Sequence, residues 1–174
     1  SNQGVTFIEL MVIIALIAIS LLVVVPSFSD FFAKQRIRGL GDNLLFFSKL
    51  AKAEAAKKSS DTYIVFKKAS STSWCIGLSA SNDACDCNSA NSCTVDSIER
   101  VISSTDYKNI KFDSLNFDNN VITTSPYRGR SNAGRATFSA IANGVSKDLS
   151  LVRNKMGRDR VCSPSGNSMR YPAC

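Results

Sequence analysis

Seven basic side chains in the last third of the sequence have the chemistry to bind phosphate. Arg158 and Arg160 stand two residues apart, so within a strand both would point to one face. Each guanidinium offers a planar fork of donors that suits phosphate oxygens, and Gly157 has no side chain to keep a phosphate backbone away. The other five would form a supporting rim around this pair: Arg128, Arg130, Arg135, Arg153 and Lys155.

The charge distribution along the chain favours the same interpretation. Residues 121–174 carry nine basic and two acidic groups, net +7, whereas residues 1–60 are net +3 and residues 61–120 net −3. Such an asymmetry predicts a polyanionic partner. Asp159, between the two arginines, would lie on the opposite strand face and need not repel a phosphate. The alternative is that these are ordinary solvated strand residues or contacts between subunits, and charge alone does not decide.

The sequence offers little for catalysis. It contains no histidine, which removes the commonest general base and the commonest metal ligand. It has no carboxylate pair with an obvious catalytic spacing and no Gly-rich nucleotide loop between a strand and a helix. Ser163 and Ser165 have no base to activate them. We therefore expect no enzymatic activity and no cofactor.

Six cysteines predict disulfides, since such bonds persist in oxidising compartments. A metal cluster is the alternative, but zinc sites usually place two to four residues between paired cysteines, and only Asp86 separates Cys85 from Cys87. We expect no metal. The sequence alone does not choose the connectivity. We expect Cys162 and Cys174 to close a small C-terminal loop, and the remaining four to pair among themselves: Cys75, Cys85, Cys87 and Cys93.

The stretch from Val5 to Val25 is apolar apart from one charge, Glu9. As a helix it would be roughly 31 Å long, close to the thickness of a bilayer's hydrocarbon core. A uniformly apolar surface of this length is typical of a membrane span or a tightly packed helical bundle. The alternatives are a plain anchor and a signal peptide, although a signal peptide has a basic start and a shorter apolar core. A carboxylate inside such a span is costly, so Glu9 should have a partner or a purpose.

Gly4, Thr6, Glu9 and Leu10, followed by the apolar run, resemble the processing site of type IV prepilins. The resemblance implies that a prepilin peptidase cleaves between Gly4 and Val5 and methylates the new N-terminus. It also implies that Glu9 pairs with the N-terminal amine of a neighbouring subunit during assembly. Val5 departs from the phenylalanine that is usual there. The leader, residues 1–4, has no Lys or Arg, so we expect it to be incomplete or trimmed.

Two longer stretches narrow the resemblance to FimT/GspH-type minor pilins. They are residues 26–58, PSFSDFFAKQRIRGLGDNLLFFSKLAKAEAAKK, and residues 157–166, GRDRVCSPSG. Pro26 matches the proline that commonly interrupts the pilin helix. The segment GRDR matches the GRxR motif of FimT-like minor pilins that bind DNA during natural transformation. The resemblance therefore implies that Arg158 and Arg160 contact DNA.

The periodicity of the sequence places these residues on elements. Apolar residues at helical spacing between Ile37 and Ala51 predict one helix from about residue 5 to about 58, bent near Pro26. Beyond it, β-branched and aromatic runs predict strands, Asn143-Gly144 predicts a tight hairpin turn, and residues 80–97 read as a loop held by disulfides. The predicted strands cover residues 62–67, 74–79, 98–102, 109–112, 120–124, 136–142, 147–152 and 156–162.

We therefore expect an α+β type IV pilin fold, with a long N-terminal α-helix, transmembrane in its first half, packed on an antiparallel β-sheet head. The expected organisation is the end of a prepilin leader at 1–4, a transmembrane or filament-core helix at 5–25, and a periplasmic α+β head at 26–174. The implied location is the inner membrane, crossed once with the head in the periplasm, and later an extracellular pilus or a periplasmic pseudopilus.

The function implied by the resemblance is that of a minor pilin that binds DNA non-specifically through its basic C-terminal region, for DNA uptake in natural transformation. The alternative is a structural or priming minor pilin, or a type II secretion pseudopilin, without DNA binding. The implied partners are other major and minor pilins in a filament, double-stranded DNA, the inner membrane before assembly, and prepilin peptidase.

Overall fold

One long helix, α1, runs from Phe7 to Lys58 in a computed structural model of the protein. The structure describes residues 4, 6–80, 85–127, 130–142, 145–166 and 171–174, with the backbone alone at 22–27, 29 and 142. Thr6 caps the helix, because its side-chain oxygen accepts a hydrogen bond from the Glu9 amide. The helix ends where Ser59 adopts a left-handed conformation with φ of 50°.

The second half of α1 packs on the body through the face that the apolar spacing predicts. Ile37, Leu40, Leu44, Phe47 and Ala51 are all buried. They recur every three or four residues, so they form one stripe along the helix. The stripe belongs to a single hydrophobic core that also takes in side chains from the strands of both large sheets.

In the part of the chain that the structure describes, ten strands form three sheets. In the first sheet the order is β5-β2-β1-β7, in the second it is β10-β9-β8-β6, and the third is the ribbon β3-β4. Every ladder is antiparallel. A 3₁₀ helix, Asp118–Asn120, precedes β7. The strand bounds are β1 Thr62–Lys68, β2 Trp74–Ser79, β3 Thr94–Val95, β4 Ile98–Glu99, β5 Val101–Ser103, β6 Ile110–Asn116, β7 Val121–Thr124, β8 Gly134–Ala142, β9 Val145–Arg153 and β10 Asp159–Cys162.

Aromatic side chains join the two large sheets. Trp74, from the first sheet, lies 5.3 Å from Phe138 of the second, measured between ring centroids, and Phe112 stacks on Phe138 at 4.5 Å. The Trp74 indole N–H donates to the Ile110 carbonyl at 3.2 Å, so this buried polar group is satisfied. The two sheets therefore meet through side chains across a shared core and do not continue one hydrogen-bonded ladder.

The predicted fold class is wrong. The body is rich in sheet and contains three sheets, where one antiparallel sheet beneath a half-transmembrane helix was expected. No helix in the part of the chain that the structure describes is long and apolar enough to cross a membrane. This finding also contradicts the predicted single-pass inner-membrane location.

The disulfide-rich segment contains more regular structure than its composition indicates. Residues 80–97 were expected to form a loop, yet β3 lies within it and pairs with β4. Asp96 and Ser97 turn the chain between the two strands with positive φ values of 51° and 63°. The predicted hairpin turn at Asn143-Gly144 lies outside the described residues, and the strands on either side of it pair from Ala142↔Val145 onward.

The C-terminal end of α1 is fastened to the β3-β4 ribbon by ion pairs. The Lys57 Nζ lies 2.6 Å from the Asp96 Oδ2, and the Lys58 Nζ lies 3.0 Å from the Asp96 Oδ1. Hydrogen bonds from Lys57 and then Lys58 hold the pKa of Asp96 below its ordinary value of 3.8. The lowered pKa means that the ionised carboxylate is favoured in the folded protein.

We predict that Asp96→Asn lowers thermal stability slightly at neutral pH and that the difference disappears in acid. A carboxyl whose pKa is lowered by folding stabilises the protein above its ordinary pKa of 3.8. That contribution is lost as the pH falls through the lowered native value. Melting temperatures of both proteins between pH 7 and pH 2 provide the measurement. A gap that stays constant over this range would contradict the assignment.

Candidate nucleic-acid interface

The turn between β9 and β10 is shaped by Asn154 and Gly157. The Asn154 Oδ1 accepts hydrogen bonds from the backbone N–H of Met156, at 3.1 Å, and of Arg158, at 2.9 Å. The Gly157 N–H donates to the Asn154 carbonyl at 2.9 Å, and Gly157 has a left-handed φ of 73°. A side chain at position 157 would be strained at this φ. The turn leaves Lys155, Met156 and Arg158 exposed.

Gly157 shapes the turn and does not, as the sequence had suggested, leave space for a phosphate backbone. The residue is buried, so it does not offer an open path for a phosphate backbone. Its role is to let the chain reverse tightly. Since β10 begins only at Asp159, Arg158 precedes the strand, and strand alternation does not place it on the same face as Arg160. Both arginines are nevertheless exposed.

Arg135 and Arg160 lie on the same face of the second sheet. Arg160 pairs with Val152 across β10 and β9, and Val152 pairs with Arg135 across β9 and β8. Residues directly opposite in neighbouring strands share a face, and two strand spacings separate the two arginines by roughly 10 Å. The Arg160 Nη2 also donates to the Cys174 carbonyl at 3.0 Å. That bond orients the guanidinium and leaves its other N–H groups for a ligand.

Arg153 points inward and is not part of this exposed set. The residue is 1% exposed. Its guanidinium forms a bidentate ion pair with the carboxylate of Asp159, through Nε to Oδ1 and through Nη2 to Oδ2. The Arg153 Nη1 donates to the Thr124 Oγ1 at 2.7 Å and to the Ser131 Oγ at 3.2 Å. With these partners, Arg153 is a structural residue and cannot contact a polyanion on the surface.

Asp159 is neutralised on the inner side of the sheet. Its side chain is 5% exposed, and Lys52 of α1 forms a second ion pair with it. One carboxylate thus faces two buried or half-buried cations, and it does not reduce the positive charge of the outer surface. The sequence predicted that Asp159 lies on the face opposite to Arg160. In the structure the Asp159 side chain is indeed directed inward, whereas Arg160 is exposed.

The loop that follows β7 lies beside the β9-β10 turn. The Ser125 N–H donates to the Arg130 carbonyl at 2.8 Å, and the Ser131 N–H donates to the Lys155 carbonyl at 3.3 Å. These bonds close the loop and tie it to the turn. Arg130 is exposed there. Arg128, another predicted contact, lies outside the described residues.

Five exposed cations therefore gather around the β9-β10 turn, and we call this set the basic surface. Among the described residues, no Asp or Glu side chain lies within ion-pair distance of any of the five. Charges that are not neutralised by the protein itself remain available to an external anion. The members are Arg130, Arg135, Lys155, Arg158 and Arg160.

Three disulfides stabilise the body, as the cysteine count predicted. The pairs are Cys75–Cys87, Cys85–Cys93 and Cys162–Cys174. The last pair holds the end of the described chain beside β10, where the Cys174 carbonyl meets Arg160. Gly77, which the sequence interpretation missed, makes room for the second pair. A Cβ at that position would lie 2.2 Å from the Cys93 Sγ.

The N-terminal residues singled out by the sequence form a separate region. Gly4 is exposed, and Val5 lies outside the described residues. Glu9 is exposed in the first turn of α1, where its backbone N–H reaches the Thr6 hydroxyl at 3.4 Å. The spacing Thr6-x-x-Glu9 is that of a capping box, and a carboxylate at a helix N-terminus is favoured by the helix dipole. About 64 Å of helix separates Glu9 from Lys52, so this region and the basic surface are distinct.

No protein-family model, curated protein or solved structure matches the chain. The resemblance to FimT/GspH-type minor pilins stays a prediction.

We predict that Asp159→Asn destabilises the protein by about 3–5 kcal/mol, because it leaves the charge of Arg153 buried and unpaired. Urea unfolding, followed by tryptophan fluorescence from buried Trp74, gives the free energy. The matched control is Asp113→Asn, an exposed acid on β6, for which we expect a change below about 0.5 kcal/mol. Equal stability of the two variants would show that the ion pair does not hold the fold together.

Proposed function

We propose that the protein binds double-stranded DNA non-specifically, through contacts of the basic surface with phosphates. The observation that carries this proposal is that five exposed cations without an Asp or Glu partner surround one hydrogen-bonded turn, while the acid next to them is turned inward and neutralised. Guanidinium groups match phosphate oxygens in shape and charge. The proposal includes the two arginines of the GRDR segment and excludes Arg153.

Contact with phosphates explains why no sequence preference is expected. Bases are read by elements that enter a groove, whereas phosphate contacts position a protein without reading sequence. The basic surface consists of a turn, a loop and side chains from neighbouring strands, and it offers no exposed recognition helix. Non-specific binding of this kind typically has a dissociation constant of about 10⁻⁴ to 10⁻⁶ M at physiological salt.

Arg158 and Arg160 should contribute most to the affinity. Arg158 is exposed on a turn whose backbone is fixed by three hydrogen bonds to Asn154. Arg160 is oriented by the Cys174 carbonyl. Because its side chain is already oriented, Arg160 loses less conformational entropy on binding, and the hydrogen-bonded turn presents Arg158 without a backbone rearrangement. Arg130, Arg135 and Lys155 would supply the supporting contacts.

The resemblance to minor pilins gives this activity a biological setting. In that setting the protein would capture DNA for uptake in natural transformation, with other pilins as its partners. Because the contacts ignore base sequence, the protein would accept DNA from any source. A weak single site would suffice where several copies act on one long polymer.

A second candidate function is that of a structural subunit without DNA binding. The observation that favours it is the row of exposed large apolar side chains on α1 between Phe7 and Leu21. A surface of this kind is typical of an interaction site, and packing against the equivalent helices of neighbouring subunits would cover it. Glu9, at the start of the row, would then pair with a neighbour's N-terminal amine.

We predict that the full chain, kept monodisperse in mild detergent, binds a duplex of about 20 base pairs in a strongly salt-dependent way. Each neutralised phosphate contributes about −0.9 to the log–log slope of affinity against salt, so two to four contacts give roughly −2 to −4. Fluorescence anisotropy of labelled duplex from about 50 to 200 mM salt is the measurement. The double variant Arg158→Gln/Arg160→Gln should bind at least about tenfold more weakly, with a slope less negative by about 2.

The control for this experiment removes the same charge elsewhere. Arg36 and Lys108 are exposed and lie next to each other, since the Arg36 Nη1 donates to the Lys108 carbonyl. Arg36 is about 24 Å along α1 from Lys52, which contacts Asp159. Arg36→Gln/Lys108→Gln should bind duplex within about twofold of wild type. Equal losses in both double variants, or no duplex binding by wild type, would contradict the proposal.

A further inference from the structure

A cleft lies between the loop after β7 and the β9-β10 turn. It encloses about 690 Å³ and is lined by Pro126, Tyr127, Arg130, Lys155 and Met156. This volume falls in the range of small-molecule sites, about 300–1,000 Å³. Two of its lining residues, Arg130 and Lys155, belong to the basic surface, so the cleft adjoins that surface.

The walls of the cleft are tied together beneath it. The Ser131 N–H donates to the Lys155 carbonyl at 3.3 Å. The buried Arg153 guanidinium reaches Thr124, at the end of β7, and Ser131, on the far side of the loop. The Arg130 N–H donates to the Tyr127 carbonyl at 3.3 Å. The cleft is therefore held open by hydrogen bonds that involve no lining side chain.

The side chains of the cleft combine a flat ring, a polarisable apolar group and two cations. Tyr127 is 80% exposed and Met156 is 82% exposed, so two large, mainly apolar side chains lie at the surface here. Pro126 adds a rigid apolar surface. Aromatic rings and thioethers make favourable contacts with the faces of other aromatic rings. Arg130 and Lys155 place positive charge beside these groups.

We propose that this cleft binds an unpaired nucleobase of single-stranded DNA. The base stacks on Tyr127 and contacts Met156, and the phosphates on either side of it meet Arg130 and Lys155. Stacking platforms combined with a basic groove are the general means by which proteins hold single strands. A base in an intact duplex is already paired and stacked, so the cleft gives the protein a preference for single-stranded segments. The inference rests on the proposed function, since it extends the same basic surface.

A nucleic acid fits the cleft better than an acidic peptide does. Lys155 belongs to the β9-β10 turn and Arg130 to the loop after β7, so each of the two segments that line the cleft carries a cation. A nucleotide has the same arrangement, with a flat ring between two phosphates. An acidic peptide would offer carboxylates to the cations but no ring for Tyr127.

The test compares three labelled probes with the full chain in mild detergent, at about 50 mM salt. They are an oligothymidylate of about 12 nucleotides, a strand of the same length with its central bases removed, and a duplex of the same length. We expect wild type to bind the oligothymidylate about tenfold more tightly than the abasic strand and at least about threefold more tightly than the duplex. We expect Tyr127→Ala to lose about tenfold for the oligothymidylate and to stay within twofold for the abasic strand and the duplex.

Two further variants separate stacking from charge and from misfolding. Tyr127→Phe keeps the ring and should restore binding of oligothymidylate to within about twofold of wild type. Tyr63→Phe, on the β1 strand, is the matched control and should leave all three affinities unchanged. The inference would be overturned if Tyr127→Ala bound the oligothymidylate as tightly as wild type does. It would also be overturned if wild type bound the abasic strand as tightly as the oligothymidylate.

The result also distinguishes failure of the inference from failure of the proposed function. If duplex binding depends on Arg158 and Arg160 but oligothymidylate binding ignores Tyr127, only the cleft assignment is wrong. If duplex binding is absent while oligothymidylate binding depends on Tyr127, the cleft assignment holds and the protein binds single strands alone. An acidic peptide of similar charge that competes as well as oligothymidylate would overturn the choice of ligand.

Discussion

The buried ion pair between Arg153 and Asp159 is the constraint on which the rest of the body depends. It joins β9 to β10, and through Lys52 it reaches α1. Through Thr124 and Ser131 it reaches the end of the first sheet and the loop beyond. Burying two charges is costly unless each finds partners with good geometry, and a bidentate pair with added hydrogen bonds meets that condition. Because Asp159 is turned inward to make this pair, the next residue of β10, Arg160, faces outward.

The same arrangement divides the basic residues near the β9-β10 turn into two groups. Arg153 and Lys52 neutralise one carboxylate inside the structure, whereas the basic surface stays unpaired outside. The turn that carries Lys155 and Arg158 is shaped by Asn154 and Gly157, and the loop that carries Tyr127 and Arg130 is tied to that turn. The proposed duplex binding and the proposed base binding thus both depend on this hydrogen-bonded turn and loop. They differ in which exposed side chains contact the ligand.

Local patterns in the sequence predicted local features of the structure, and features made by distant residues were missed. The apolar spacing from Ile37 to Ala51 indicated the buried face of α1, and the cysteine count indicated disulfides. The expected single sheet was wrong, because strand order depends on how side chains such as Trp74 and Phe138 pack across the core. The expected membrane span was also wrong, since no helix of the described residues is long and apolar enough to cross a membrane. The burial of Arg153 depends on partners that are distant in the sequence, such as Thr124 and Ser131. The residues next to Arg153 in the sequence are much the same as those next to exposed Lys155, so they did not indicate which of the two is buried. One available signal, the capping spacing of Thr6 and Glu9, was overlooked.

The central claim is that an external polyanion contacts the exposed cations around the β9-β10 turn. The most direct measurement is a titration of ¹⁵N-labelled protein with a short duplex, followed by amide chemical shifts and by the Nε–Hε signals of the arginines. The account predicts that the largest changes fall on residues 155–160, with smaller ones at Arg130 and Arg135, and that the Nε–Hε signal of Arg153 is unaffected. Changes concentrated on the polar face of α1 or around Lys67 and Lys68, or shifts spread evenly over all surface cations, would contradict it.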